Sequence, residues 1–125
     1  MDTLKNLEKK INSELTTKIN SSRTEYNQLF LNIDSEDLLD VVLFLKTNKD
    51  TKFRQLIDIT ATDYPEKVKR FKMTYLLLSH EFNQRIIINY LIHENEIVPT
   101  LTKIFPSSNW MEREVFDMYG VKFKD

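Results

Sequence analysis

The chain contains no cysteine and a single glycine, Gly120. Without thiols there can be no disulfide, no thiolate zinc site, no cysteine-held iron–sulfur cluster and no cysteine nucleophile on this chain. Gly-rich phosphate loops need several glycines to let backbone approach the ligand, so neither a dinucleotide fingerprint nor a P-loop is encoded. Alanine is almost missing as well, with only Ala61. Asn, Lys and Ile are abundant instead, a bias that resembles AT-rich coding and hints at an organelle or a reduced bacterial genome. No excess of positive charge exists, because 18 basic residues face 19 acidic ones for a net charge of −1. The electrostatic footprint of a nucleic-acid binder is therefore absent. Long apolar runs are missing too: the densest, Leu38 to Leu45, is broken by Asp40 and falls far short of the ~18 residues of a membrane span. The N-terminus has no secretory apolar segment, and Asp2, Glu8 and Glu14 are wrong for an acid-poor mitochondrial presequence. These features imply a soluble chain made in the compartment where it works.

What is present describes one α+β domain spanning the 125 residues, with 41% hydrophobic and 30% charged residues, a globular balance. Leu4, Leu7, Ile11 and Leu15 recur at helical spacing over residues 3–15. Leu29, Leu31 and Ile33 alternate, predicting a strand over 26–33, with 16–21 the weaker candidate for its hairpin partner. Asp34 or Ser35 can cap the following helix, whose body runs Leu38 to Leu45. Three strands follow. Residues 53–63 set Phe53, Ile57, Ile59 and Ala61 on one face. Residues 71–79 do the same with Phe71, Met73, Tyr75 and Leu77, and residues 85–92 with Ile86, Ile88, Tyr90 and Ile92. Their short polar links predict an antiparallel meander. Pro99 suits the start of a helix over 98–105, which Pro106 ends. Ser107 or Ser108 can cap a last helix through Tyr119, with Gly120 as its left-handed C-terminal residue. The expected order is α-β-β-α-β-β-β-α-α, helices packed on a mostly antiparallel sheet, with residues 1–23 peripheral.

Few residues invite chemistry. His80 and His93 show no metal-ligand spacing and read as strand-end residues. Asp58 shares a polar strand face with Thr60 and Thr62, which is either a solvated face or a seam meeting a partner through Arg70. Asp58, Asp63 and Glu112 could in principle serve a free-standing carboxylate-based enzyme, but nothing supplies a pocket. The last helix carries the strongest constellation. Met111, Val115, Met118 and Tyr119 fall on one side, and Trp110, Arg113, Glu114 and Asp117 on the opposite arc, with Glu112 and Phe116 between. Arg113 and Asp117 are spaced i,i+4 for an ion pair. Aromatics and methionines beside arginine mark interface anchors, so this helix is read as buried on both sides, its charges paired within a protein–protein contact.

At this helix the run Glu112-Arg113-Glu114-Val115-Phe116-Asp117-Met118-Tyr119-Gly120 resembles the signature of the C-type, "30 kDa" subunit of NADH:quinone oxidoreductase, respiratory complex I. The likeness extends through Leu56-Ile57-Asp58, Asp63-Tyr64-Pro65, Arg70-Phe71, Asn83-Gln84-Arg85-Ile86 and Ile104-Phe105-Pro106 leading into Asn109-Trp110. It covers roughly residues 53–123. The resemblance implies a cofactor-free subunit of the peripheral arm that docks against the quinone-site subunit, while partner subunits bind NADH, FMN, the iron–sulfur clusters and quinone. It gives Glu112, Arg113, Glu114 and Asp117 a docking role, with Trp110, Tyr119, Gly120, Asp58, Asp63 and Arg70 in the wider signature. Related subunits occur in NADH-dehydrogenase-like and membrane-bound hydrogenase complexes. Family members continue past Val121-Lys122-Phe123 into a long tail, whereas this chain stops at Asp125, so a truncated product or a separate chain carrying the second half is expected. The coding bias and missing presequence point to the matrix side of the mitochondrial inner membrane, with the cytoplasmic face of a bacterial inner membrane as the alternative.

Overall fold

In the computed structural model, which describes residues 3–124, a five-stranded mixed sheet in the order β1-β2-β5-β4-β3 forms the frame. Helix α1 (Thr3–Glu14) precedes the hairpin of β1 (Ser21–Glu25) and β2 (Gln28–Asn32). A 3-10 turn (Ser35–Asp37) leads into α2 (Leu38–Thr47). The meander β3 (Gln55–Asp63), β4 (Phe71–Ser79) and β5 (Gln84–Ile92) follows, and both of its pairings are antiparallel. β5 then pairs with β2 in parallel, joining the two halves of the sheet. β6 (Ile97–Pro99), α3 (Ser108–Tyr119) and β7 (Lys122–Lys124) complete the chain, with β6 and β7 forming a two-stranded parallel sheet.

Register explains the layering. Leu31, Ile88, Tyr75 and Ile59 are neighbours across four strands, as are Leu29, Ile86, Leu77 and Leu56. All eight are buried. Because side chains alternate along a strand, these rows share one face. That face joins Leu4, Leu7 and Ile11 of α1, Val41, Val42 and Leu45 of α2, and Val115 of α3 in one core. The opposite face stays open, with Phe30, Ile87 and Leu76 half-buried in a cross-strand row.

The α+β class and the meander agree with the sequence, but several boundaries move. Tyr26 and Asn27 adopt positive φ (52° and 61°), the conformation of a tight hairpin turn. They therefore close the hairpin, and the partner strand is 21–25, not 16–21. A bulge between Leu56 and Asp58 inserts Ile57 as an extra residue. Leu56 is consequently buried while Ile57 is 36% exposed, reversing the expected facing at that point. Neither Asp34 nor Ser35 caps by its side chain: the Asp34 carboxylate accepts from the Asn20 amide at 3.0 Å, and the Ser35 hydroxyl donates to Glu96 at 3.0 Å. Asp37 is the N-terminal flanking residue of α2.

The expected helix over 98–105 does not form. Residues 97–99 are β6, and only a single turn at Leu101 follows, where Ile104 N–H and Phe105 N–H donate to the Leu101 carbonyl at 2.9 and 2.7 Å. β-branched Thr100 and Thr102 weaken helix there, and the Thr100 hydroxyl donates to Glu112 while accepting from the Thr102 N–H.

Candidate protein–protein interface

α3 is held at both ends by backbone geometry. Ser107 has helical φ and ψ and makes no side-chain cap. The first turn instead grows out of the preceding loop, with Ser108 N–H donating to the Phe105 carbonyl at 2.9 Å and Asn109 N–H to Pro106 at 3.2 Å. The buried Ser108 hydroxyl has no hydrogen-bond partner. At the other end Gly120 takes φ 74°, and its N–H closes on the Phe116 carbonyl at 2.8 Å. This is the left-handed C-terminal residue expected from its position.

The inward stripe of α3 is Ser108, Met111, Glu112, Val115 and Tyr119. Tyr119 meets Phe71 of β4 edge to face, ring centroids 6.1 Å apart. Glu112 is 6% exposed. Its carboxylate accepts from the Thr100 hydroxyl at 2.6 Å and from the Leu101 N–H at 2.8 Å. A buried carboxylate needs such donors, and here they staple α3 to the segment after β6. Beneath this end of the helix Tyr75 and Tyr90 share a buried hydroxyl–hydroxyl hydrogen bond of 2.7 Å. Burial raises the pKa of both phenols, with Glu112 adding to the effect, so both stay neutral.

The outward face is different in kind. Met118 is 74% exposed, Trp110 66% and Phe116 48%, and exposed Arg113, Glu114 and Asp117 lie among them. Met118 thus leaves the buried side where its spacing put it, and Glu112 takes that place. The expected Arg113–Asp117 pair is not made, since the salt bridges among the described residues include neither side chain. Nor is the helix buried on both sides within this chain. A 250 Å³ cleft runs between this face and the edge strand β3, lined by Asp58, Thr60, Glu114 and Met118.

Asp58 therefore does belong beside α3, at the β3 bulge, with its carboxylate accepting from the Ile59 N–H at 2.9 Å. It does not meet Arg70. The Arg70 guanidinium grips Asp63 with two bonds of 2.7 and 2.9 Å and reaches Glu94 at 2.8 Å. This lowers the Asp63 carboxyl below its ordinary value, chiefly through the Arg70 hydrogen bonds. Asp63 and Arg70 thus close the β3–β4 connection, which Tyr64 N–H also ties to the Arg70 carbonyl at 2.7 Å.

His80 contacts Gln55, and the His93 N–H donates to Glu96 at 3.0 Å, both at strand ends as expected. Among the described residues, carboxylates cluster at Asp34, Glu36 and Asp37, a common arrangement for acids at a helix start. The partners of Glu112 escaped the sequence because residues 98–105 read as helix. The one available signal was the pair of β-branched threonines, Thr100 and Thr102.

Comparison with known proteins meets this geometry at the same helix. A family described as "Respiratory-chain NADH dehydrogenase, 30 Kd subunit" matches residues 31–125. The C-type NADH-quinone oxidoreductase subunit of Ruegeria pomeroyi is 45% identical over 98 residues, covering 78% of this chain and 49% of that protein. Its counterpart in Chelativorans sp. is 34% identical over 124 residues, covering 99% of this chain and 62% of that protein. The chain thus spans about half to three-fifths of the length of these curated relatives. A chain in the structure of a membrane-bound sulfane sulfur reductase, an archaeal respiratory membrane complex, superposes with a TM-score of 0.86 at 20% identity, covering 98% of this chain and 71% of that one. At that identity the likeness speaks for the fold. With the family match spanning residues 31–125, from β2 through α3, the chain belongs to the family of the respiratory-chain NADH dehydrogenase 30 kDa subunit.

Proposed function

We propose that this chain acts as a structural subunit of the peripheral arm of a proton-pumping NADH:quinone oxidoreductase. In this reading it docks against the quinone-site subunit through the outer face of α3 and carries no redox group of its own. NADH, FMN, iron–sulfur clusters and quinone are bound by partner subunits. The observation that carries the reading is the outer face itself. Trp110, Phe116 and Met118 stand in water on the helix that bears the family signature, next to Arg113, Glu114 and Asp117, which find no partner among the described residues. Exposed aromatic and methionine side chains beside an unpaired arginine are what a partner surface would desolvate and pair. The contribution to electron transfer is positional: a rigid sheet with one docking helix holds neighbouring subunits at fixed separation.

Membrane association in this reading comes through partners, for no helix among the described residues is long and apolar enough to cross a membrane. The curated relatives above are bacterial. They favour the cytoplasmic face of a bacterial membrane over the mitochondrial placement that the coding bias suggested. A tagged chain, extracted from its membranes in mild detergent and run on a native gel stained for NADH dehydrogenase activity, tests the role. Co-migration with a large active band, with partner subunits identified by mass spectrometry, is expected. Migration as a free small protein would refute the subunit reading and return attention to Asp58 and Asp63.

A further inference from the structure

A second surface lies on the open face of the sheet. The Asp63–Arg70 connection folds back through the Tyr64–Arg70 backbone bond, and Lys67 N–H closes a turn on the Tyr64 carbonyl at 2.9 Å. This brings Lys67 and Lys69 over the start of β4, where Lys72 rises from the sheet, and the three line one 360 Å³ cleft. The neighbouring Arg70 is neutralised by Asp63 and Glu94. The lysines are not: among the described residues none of the three takes part in a salt bridge, and Lys67 only lies 4.6 Å over the Tyr64 ring. With a net charge of −1 on the chain, three unpaired ammonium groups in one cleft do not reflect a generally basic surface.

The floor of the cleft adds an amide donor. Asn89 of β5 is 5% exposed. Its Oδ1 accepts from Thr74 across the strands at 2.8 Å, while its Nδ2 has no hydrogen-bond partner among the described residues and the residue lines the cleft. That nitrogen is not among the buried atoms left unsatisfied, so it opens to the cleft and offers its donors there. Beside it lie Tyr64 and Leu91, the latter 43% exposed. The one acid on the lining is Asp34, an oxygen of which is occupied by the Asn20 amide.

We propose that this lysine-lined cleft docks an acidic segment of a neighbouring subunit, an inference that rests on the reading of the chain as part of a complex. The chemistry favours this occupant over a small phosphate ligand. Lysine also binds phosphate as a point charge, but the lining offers no arginine fork and no glycine-rich backbone to orient one, for it contains no arginine and no glycine. Three flexible point charges spaced along a connection and a strand, above a floor where Leu91 lies beside the Asn89 amide donor, suit the carboxylates, aliphatic stems and backbone carbonyls of an extended peptide. The site is apart from the docking face of α3, because that helix packs on the other side of the sheet.

The test uses the intact detergent-extracted complex and the chain released from it. Zero-length carbodiimide coupling should join Lys67, Lys69 or Lys72 to aspartates or glutamates within one segment of another chain. Acetylation of these three amines should be several-fold slower in the complex than in the released chain. The charge-reversed triple variant Lys67→Glu, Lys69→Glu, Lys72→Glu should fold normally and dissociate from the complex at lower salt than the wild type. A chain that co-purifies with its partners while all three lysines acetylate at the released-chain rate would overturn this inference and leave the α3 reading standing. Protection by millimolar inorganic phosphate, with no cross-link to a second chain, would overturn it in favour of a small-anion site. A chain found in no complex would overturn both.

Discussion

The two faces of α3 are twelve residues of one helix under opposite rules. On the inner face even the ionisable residue is settled: Glu112 has a hydroxyl and a backbone N–H as partners from its own chain. On the outer face three apolar side chains are exposed and three charges have no hydrogen-bond or ion-pair partner among the described residues. Composition alone does not separate the faces, since each mixes apolar with ionisable residues. Satisfaction separates their charged groups, although the inward Ser108 hydroxyl has no hydrogen-bond partner among the described residues. Glu112, with its bonds complete, serves the fold, and the charges among exposed aromatics are the ones proposed to meet a second surface.

The largest expected effect comes from breaking the inner side. Glu112→Ala removes two hydrogen bonds and leaves the Leu101 N–H and Thr100 hydroxyl without their acceptor, a loss of about 2–4 kcal/mol, to be read from the urea midpoint. Glu112→Gln keeps an acceptor and should cost markedly less. Next comes the outer side. Trp110→Ala should leave the urea midpoint nearly unchanged, within about 0.5 kcal/mol, yet weaken association with the partner subunit by about 2 kcal/mol, roughly thirtyfold, measurable by competition for assembly. Arg113→Ala sharpens the contrast further. Lacking an ion pair in this chain, Arg113 should contribute within about 0.5 kcal/mol to folding, while its loss should still impair assembly if a partner carboxylate receives it.

The smallest effect is on pH. Arg70 holds the Asp63 carboxyl below its ordinary value of 3.8. The stabilisation is therefore complete above that value and is lost as pH falls through the lowered one. Carboxyl-carbon NMR titration should find Asp63 depressed in the wild type and restored to the ordinary range in Arg70→Gln. Neutral pH lies above both the ordinary and the lowered value, so stability should change little there.

The contrast between the faces also shows where sequence reasoning reaches. β4 and β5 were legible because Phe71-x-Met73-x-Tyr75-x-Leu77 and Ile86-x-Ile88-x-Tyr90-x-Ile92 alternate without interruption, and each row buries as written. The Leu56-Ile57-Asp58-Ile59 run is ambiguous by one residue, and only the bulge decides which isoleucine faces inward. The parallel pairing of β2 with β5 leaves no local trace, because it joins residues more than fifty positions apart. Pro99 signals a helix start equally well as an edge strand, and the deciding contact, Thr100 with Glu112, lies twelve residues away. For the site, the residue types of α3 were legible, but the rotation that buries Glu112 and exposes Met118 was not. The cleft of Lys67, Lys69 and Lys72 left no trace in the sequence, since lysine spacing carries no sign of Asn89 beneath it.

Above all, the proposed function gives the outer face of α3 to assembly and not to folding. The most direct test is the double variant Trp110→Glu, Met118→Glu in the tagged chain, followed in two readouts. Urea unfolding of the chain should stay close to wild type while the chain is lost from the large NADH-oxidising band on a native gel. Full incorporation of the double variant into that band would contradict the assignment.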